Sequence, residues 1–245
     1  MKTVSDLETL KTIVDAAWFL SSEATLHFSP DGLVLNVVDD ANAGLVNIQA
    51  PVDAFSFYEV PEPVDVSVEL GKFSEMLGSA KKGEPVSLAI NETSKSLEIQ
   101  TGKLTFSLRL LDNSIVKVCP AIPDLKFTGM VTIDPDDFVV ATRAASKLSN
   151  HISFDLDSAK FEITGLGDIN HVRLSVPTAD LDAVVHTEPL HSLFATDYIE
   201  DVSKTVSKST GLLTIELGKA YPMRLTMIVG KVLIKYLVAP RIEHD

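Results

Sequence analysis

The chain has 245 residues, 45% of them hydrophobic, enough to bury one sizeable core or two cores of ordinary domain size. No apolar run approaches the roughly 20 residues of a membrane helix, Met1-Lys2-Thr3-Val4-Ser5-Asp6 lacks the apolar core of a signal peptide, and the single cysteine, Cys119, points to a reducing compartment. A net charge of −13, if evenly spread, argues against nucleic acid, because phosphates reward Lys and Arg.

In chain order, Leu7, Leu10, Val14 and Ala17 fall at i, i+3, i+7 and i+10, one stripe of an amphipathic helix. Period-two alternation follows, as in residues 64–70, broken by turns such as Pro30-Asp31-Gly32. Phe73, Met76, Leu77 and Ala80 form a shorter helical stripe, Lys82-Gly83-Glu84-Pro85 a turn, and residues 104–110 alternate again. Residues 112–126 contain Pro120 and Pro123 and little periodicity; the prolines remove backbone donors, so this is a linker and not a central strand. Asp134-Pro135 then supplies an N-cap with proline at the first helical position, ahead of Phe138, Ala141, Ala145 and Leu148. Residues 151–156 alternate, Tyr198, Val202 and Thr205 mark a fourth helix, Leu217-Gly218-Lys219 is a turn, and residues 223–227 alternate. Hairpin-length spacing of this kind means antiparallel sheet.

The pattern occurs twice. A gapless shift of 177 − 51 = 126 positions lays residues 24–51 on 150–177, with Phe28 on Phe154, Leu35 on Phe161, Val46 on Val172, Ile48 on Leu174 and Pro51 on Pro177. Further on the register drifts by a residue or two, so that Leu104, Phe106, Leu108 and Leu110 fall on Val232, Ile234, Tyr236 and Val238. The period is too long for a solenoid unit and implies two similar halves, residues 1–111 and 127–245, joined by a connector at 112–126.

Arg143 and Lys147 lie opposite the stripe of the third helix, and Lys204 and Lys208 opposite that of the fourth, with Ser203 and Ser207 beside them. Lys11, Lys72, Lys81 and Lys82 are looser members of the set. The acids are expected in loops and strands instead, at Asp39-Asp40, Asp53, Glu59, Glu62, Asp65, Asp180 and Asp182. The helices thus carry either separate solvated faces or one shared basic surface on a polarised molecule.

Catalytic chemistry is not in evidence. There is no P-loop, no dinucleotide fingerprint and no GxSxG elbow. His186 and His191, with Glu188 between them, match no zinc spacing and read as a polar loop. His27, His151 and His171 sit in strand patterns, Asp39-Asp40 lacks further ligands, and Cys119 beside Pro120 has no activating base. No catalytic residue, metal or cofactor is expected.

The last residues, Lys235-Tyr236-Leu237-Val238-Ala239-Pro240-Arg241-Ile242-Glu243, closely resemble the terminal motif of the proliferating-cell nuclear antigen family, the sliding clamps of archaeal and eukaryotic DNA replication. Asp31-Gly32-Leu33 with Val38-Asp39-Asp40-Ala41-Asn42 resembles the family's first strand pair and its loop, and Leu110-Leu111-Asp112 with Ile122-Pro123 its interdomain connector. The short tail and connector resemble archaeal members.

The resemblance implies an α+β DNA-clamp fold: two similar antiparallel-sheet domains, each with two helices, assembling as a homotrimer into a closed ring with helices inside. By residue matching, Lys11, Arg143 and Lys204 face double-stranded DNA, and Lys72, Lys81, Lys82, Lys147 and Lys208 join them by helix position. Glu75 and Asp197 stand where relatives often carry Lys or Arg. The ring encircles DNA of any sequence and tethers DNA polymerase, clamp loader, flap endonuclease and DNA ligase, which bind through a short peptide motif. The pocket for that motif maps to Val38, Ile122, Pro123, Pro222, Leu237, Val238, Ala239 and Pro240, with Leu237 replacing a frequent Tyr and Val38 an occasional Met. Subunits pair strand to strand, Lys103, Thr105, Ser107 and Arg109 on one edge against Asp168, Asn170, Val172 and Leu174 on the other. The ring is no enzyme and needs no membrane; it works in the archaeal cytoplasm at the nucleoid, or in a eukaryotic nucleus. The alternatives are a scaffold subunit of a heterotrimeric checkpoint or repair clamp and an enzyme on a duplicated β-rich scaffold.

Overall fold

The first half runs β1 (Lys2–Asp6), α1 (Leu7–Trp18), β2 (Glu23–Ser29), β3 (Gly32–Val38), β4 (Gly44–Pro51), a 3-10 turn (Val52–Ala54), β5 (Phe57–Glu59), β6 (Val64–Glu69), α2 (Leu70–Gly78), β7 (Pro85–Asn91), β8 (Ser96–Thr101) and β9 (Leu104–Arg109). The second runs β10 (Gly129–Ile133), α3 (Pro135–Ala145), β11 (His151–Leu156), β12 (Lys160–Leu166), β13 (His171–Pro177), a 3-10 turn (Thr178–Asp180), β14 (Ala183–His186), β15 (Leu190–Ala195), α4 (Thr196–Val206), β16 (Leu213–Leu217), β17 (Met223–Val229) and β18 (Val232–Val238). The order of strands, helices and 3-10 turns is the same in both, so the repeat seen in the apolar rhythm is a repeat of architecture. This computed structural model describes residues 1–120, 125–181, 183–186, 188–219 and 221–241.

The chain divides into two units, one formed by Met1–Pro120 with Val229–Ile234 and one by Ala121–Ile228 with Lys235–Asp245. In the first unit, antiparallel pairing gives the strand orders β5-β1-β7-β8-β9 and β4-β3-β2-β6. The second repeats them as β14-β10-β16-β17 and β13-β12-β11-β15. Alternation drives this: in β2 the residues Ala24, Leu26 and Phe28 are buried, and in β11 Ile152, Phe154 and Leu156 are.

Each core closes under its two helices. Leu10, Ile13 and Val14 of α1 and Phe73 and Leu77 of α2 are buried, as are Phe138, Ala141 and Ala145 of α3 and Ile199, Val202 and Val206 of α4. Around Phe154, the rings of Phe138, Phe161 and Phe194 lie 6.1, 6.4 and 5.6 Å away between centroids. The Asp6 carboxylate accepts from Thr9 N at 2.7 Å and caps α1; Asp134 accepts from Asp136 N at 2.8 Å and caps α3 behind Pro135. Two helix pairs are stitched by side chains, Ser74 Oγ donating to Asp15 Oδ1 at 3.2 Å and Thr142 Oγ1 to Ser203 Oγ at 3.1 Å.

Several expectations need correction. Strand β1 is not signalled by apolar alternation, because its inward residues are Thr3 and Ser5, and the Ser5 hydroxyl donates to Ala54 O at 3.3 Å. Leu148 lies past the end of α3 and is 36% exposed, so that stripe stops at Ala145. Met76 is only partly covered, and Ala80 follows α2.

Gly165 of β12 lies under α3, where an added Cβ would fall 2.6 Å from Ala145 Cβ and 2.8 Å from its Cα. Gly165→Val is therefore expected to destabilise the protein by about 2 kcal/mol, lowering Tm by roughly 4–8 °C in a circular-dichroism melt. An unchanged Tm would mean that α3 can shift off the sheet freely.

Candidate nucleic-acid interface

Of the expected DNA-facing cations, four lie within helices: Lys11 on α1, Lys72 on α2, Arg143 on α3 and Lys204 on α4. Lys81 and Lys82 follow α2, Lys147 follows α3 and Lys208 follows α4. Lys11 is half-buried and the other seven are exposed. Cations just beyond a helix C-terminus complement its dipole, which is a structural reason for their position independent of DNA.

The acids are not confined to loops and strands. The four helices carry Glu8 and Asp15, Glu75, Asp136 and Asp137, and Asp197, Glu200 and Asp201, against only the four cations above. Three of the four helices place acids in the first turn, where the dipole favours them. Ser203 is buried as the acceptor from Thr142 and does not flank Lys204 on the surface.

Two of the lysines are held by carboxylates. Lys72 Nζ lies 2.6 Å from Glu69 Oε2, and Lys204 Nζ 2.6 Å from Asp201 Oδ1, both at i,i+3 spacing. The bond from Glu69 lifts the Lys72 ammonium above its ordinary value, and the bond from Asp201 does the same for Lys204. Trp18, the sole tryptophan, is not in the core; 47% exposed, it ends α1 against Gly71 of α2, seven residues from Lys11 on the same helix face.

The strands expected at the subunit contacts, β9 and β13, each end a sheet, as do β5, β6, β14 and β15. Strand β9 pairs only with β8, and β13 only with β12, among the described residues. Thr105, Ser107 and Arg109 are exposed along β9, with Lys103 exposed in the turn before it. Val172 and Leu174 are half-buried on β13, and Asp168 and Asn170 lie exposed in the β12–β13 turn, where Asn170 O accepts from Gly167 N at 2.9 Å. Sequence reading missed the apolar residues at these edges: Leu104 is 49% exposed, Leu166 64% and Ile169 92%. The readable signal was an isoleucine in the polar turn Gly167-Asp168-Ile169-Asn170.

The expected pocket residues lie on both units. Val38, at the end of β3, and Leu237 and Val238, at the end of β18, are buried; Pro222, Ala239 and Pro240 are half-buried. Ile122 and Pro123, like Asp182, Ile242 and Glu243, lie outside the described residues. Arg241 N donates to Leu193 O at 2.7 Å, fixing the segment after β18 to β15. Ahead of the undescribed stretch, Lys117 Nζ donates to Asp39 O at 2.7 Å, Asp40 O at 3.3 Å and Asn42 Oδ1 at 3.1 Å, which fastens the start of the connector to the β3–β4 turn. Burial pushes the Cys119 thiol up, against a smaller pull from Lys117.

The histidines have other employment. His27 Nδ1 meets Asp65 Oδ1 at 2.7 Å across β2 and β6, and His191 Nδ1 meets Asp155 Oδ1 across β15 and β11. Among the described residues, no three of His, Cys, Asp and Glu are grouped to hold a metal ion. None of the described helices is long and apolar enough to cross a membrane.

A duplicated pair of antiparallel sheets, with two helices per half and an open edge on each unit, defines a clamp-type subunit. Comparison narrows this. Residues 3–117 match the family described as proliferating cell nuclear antigen, N-terminal domain. A DNA polymerase sliding clamp of Methanothrix thermoacetophila is 34% identical over 246 residues, covering 100% of both chains. One from Archaeoglobus fulgidus is 32% identical, covering 97% of each. Among solved structures, the A. fulgidus proliferating cell nuclear antigen bound to the C-terminal region of FEN-1 superposes with a TM-score of 0.93 at 31% identity, covering 100% of this chain and 99% of that one. The chain belongs to the proliferating cell nuclear antigen family of DNA polymerase sliding clamps. The clamps of this family are processivity factors without catalysis, and the chain is not an enzyme.

Proposed function

We propose that three copies of the chain close into a ring through the β9 and β13 edges, encircle duplex DNA with the four helices of each copy inward, and tether DNA polymerase and other DNA-processing enzymes. The observation that carries this is the full-length likeness to the A. fulgidus protein solved with a FEN-1 segment. Strands β9 and β13 each end a sheet, and the unpaired backbone groups along them invite pairing between copies. Phosphate contacts from Lys11, Lys72, Lys81, Lys82, Arg143, Lys147, Lys204 and Lys208 are sequence-independent and suit a ring that slides. Clients, among them clamp loader, polymerase, flap endonuclease and ligase, dock a short apolar motif at the pocket residues named above. The reading puts this work in the cytoplasm, at the nucleoid, and the archaeal source of the relatives supports it.

With a cognate loader and ATP, the protein is expected to lengthen polymerase products on primed circular DNA at least tenfold, read on a denaturing gel with excess competitor template. Unchanged product length with a competent loader and polymerase would overturn the assignment.

A further inference from the structure

We propose that Glu69 and Asp201 compete with DNA phosphates for Lys72 and Lys204, keeping those contacts weak so that the ring slides instead of fixing at one place. This rests on the clamp reading and deepens it by assigning a role to acids on the DNA-facing helices.

Glu69 is the N-cap residue of α2, yet its side chain makes no capping bond; its Oε2 lies 2.6 Å from Lys72 Nζ. On α4, Asp201 Oδ1 lies 2.6 Å from Lys204 Nζ. The two helices hold the same place in the repeated order of elements, the second helix of each half. Each lysine also feels a second acid, Glu75 for Lys72 and Glu200 for Lys204. Arg143 differs: the acids of its own helix, Asp136 and Asp137, are about two turns away.

The Lys72 and Lys204 side chains are 59% and 71% exposed, so a phosphate can reach them. Exposed pairs of this spacing are weak and screened by salt, so they open when a phosphate arrives. The phosphate then gains only its advantage over the carboxylate. Weak contacts make shallow wells between successive phosphates, and shallow wells permit motion.

The test compares Glu69→Gln/Asp201→Asn with the unaltered chain, using a fluorescent linear duplex of about 40 base pairs and anisotropy across a salt series. The double variant is expected to bind about tenfold more tightly at about 50 mM salt, with a logarithmic salt slope steeper by about 1–2. Glu59→Gln/Glu62→Gln makes the same change in charge at two exposed sites off the helices and is expected to leave affinity within about twofold. Adding Lys72→Gln and Lys204→Gln to the double variant is expected to abolish its gain. An unaltered slope, or an equal gain from the Glu59/Glu62 pair, overturns the proposal while leaving the clamp assignment intact. Failure of the unaltered chain both to bind the duplex at low salt and to raise processivity overturns both.

Discussion

Ile169→Asp is expected to leave the subunit folded and abolish the ring. Light scattering should return about 26.5 kDa in place of a species near three times that mass. The substitution acts differently on the free subunit and on the assembly. Ile169 is 92% exposed in the β12–β13 turn, so an aspartate there disturbs nothing within the chain and Tm should not move. At a closed junction the same carboxylate would be buried without a designed partner. That penalty is about 3 kcal/mol per junction, more than a hundredfold in the association constant, repeated at each contact. Processivity should disappear with the trimer. A variant that remains trimeric would place the junction elsewhere than at the β13 edge.

Arg143→Glu/Lys147→Glu is expected to do the reverse, sparing assembly and disabling DNA retention. Both side chains are exposed, one on α3 and one just past its end. Two reversals per subunit change the charge of the surface proposed to face DNA by four, or by about twelve in a trimer. Duplex affinity at low salt should fall by about ten- to a hundredfold, and loading on circular DNA in proportion. Native mass and Tm should remain those of the unaltered protein. Loss of the trimer instead would show that α3 faces a neighbouring subunit.

What was legible in the sequence was local. Asp134-Pro135 announces the start of α3 because a cap needs only its own turn. The architectural repeat was readable because Phe28 and Phe154 keep their inward places while polar neighbours vary. Strand β1 was not, since hydroxyls occupy its inward face and alternation of apolar residues has nothing to report. The ends of helical stripes were overrun, Leu148 being apolar by type and outside by position. The i,i+3 spacings of Glu69 with Lys72 and Asp201 with Lys204 stand in the sequence, but a search for cations alone passes over the acids that hold them. Which strands remain unpaired at an edge depends on the pairing of all the others, and no local pattern contains it.

The edge strands β9 and β13 are different strands of the chain, β9 exposing Leu104, Thr105, Ser107 and Arg109 and β13 exposing His171, Arg173 and Ser175. A junction made from unlike edges is head-to-tail, so every copy in a closed ring points the same way around the axis. Such a ring has a front and a back. Whatever side the client pocket lies on in one copy, it lies on in all three, and enzymes tethered to the ring share one orientation relative to the direction of travel. The unlike edge strands β9 and β13 thus give polarity to a ring that reads no sequence.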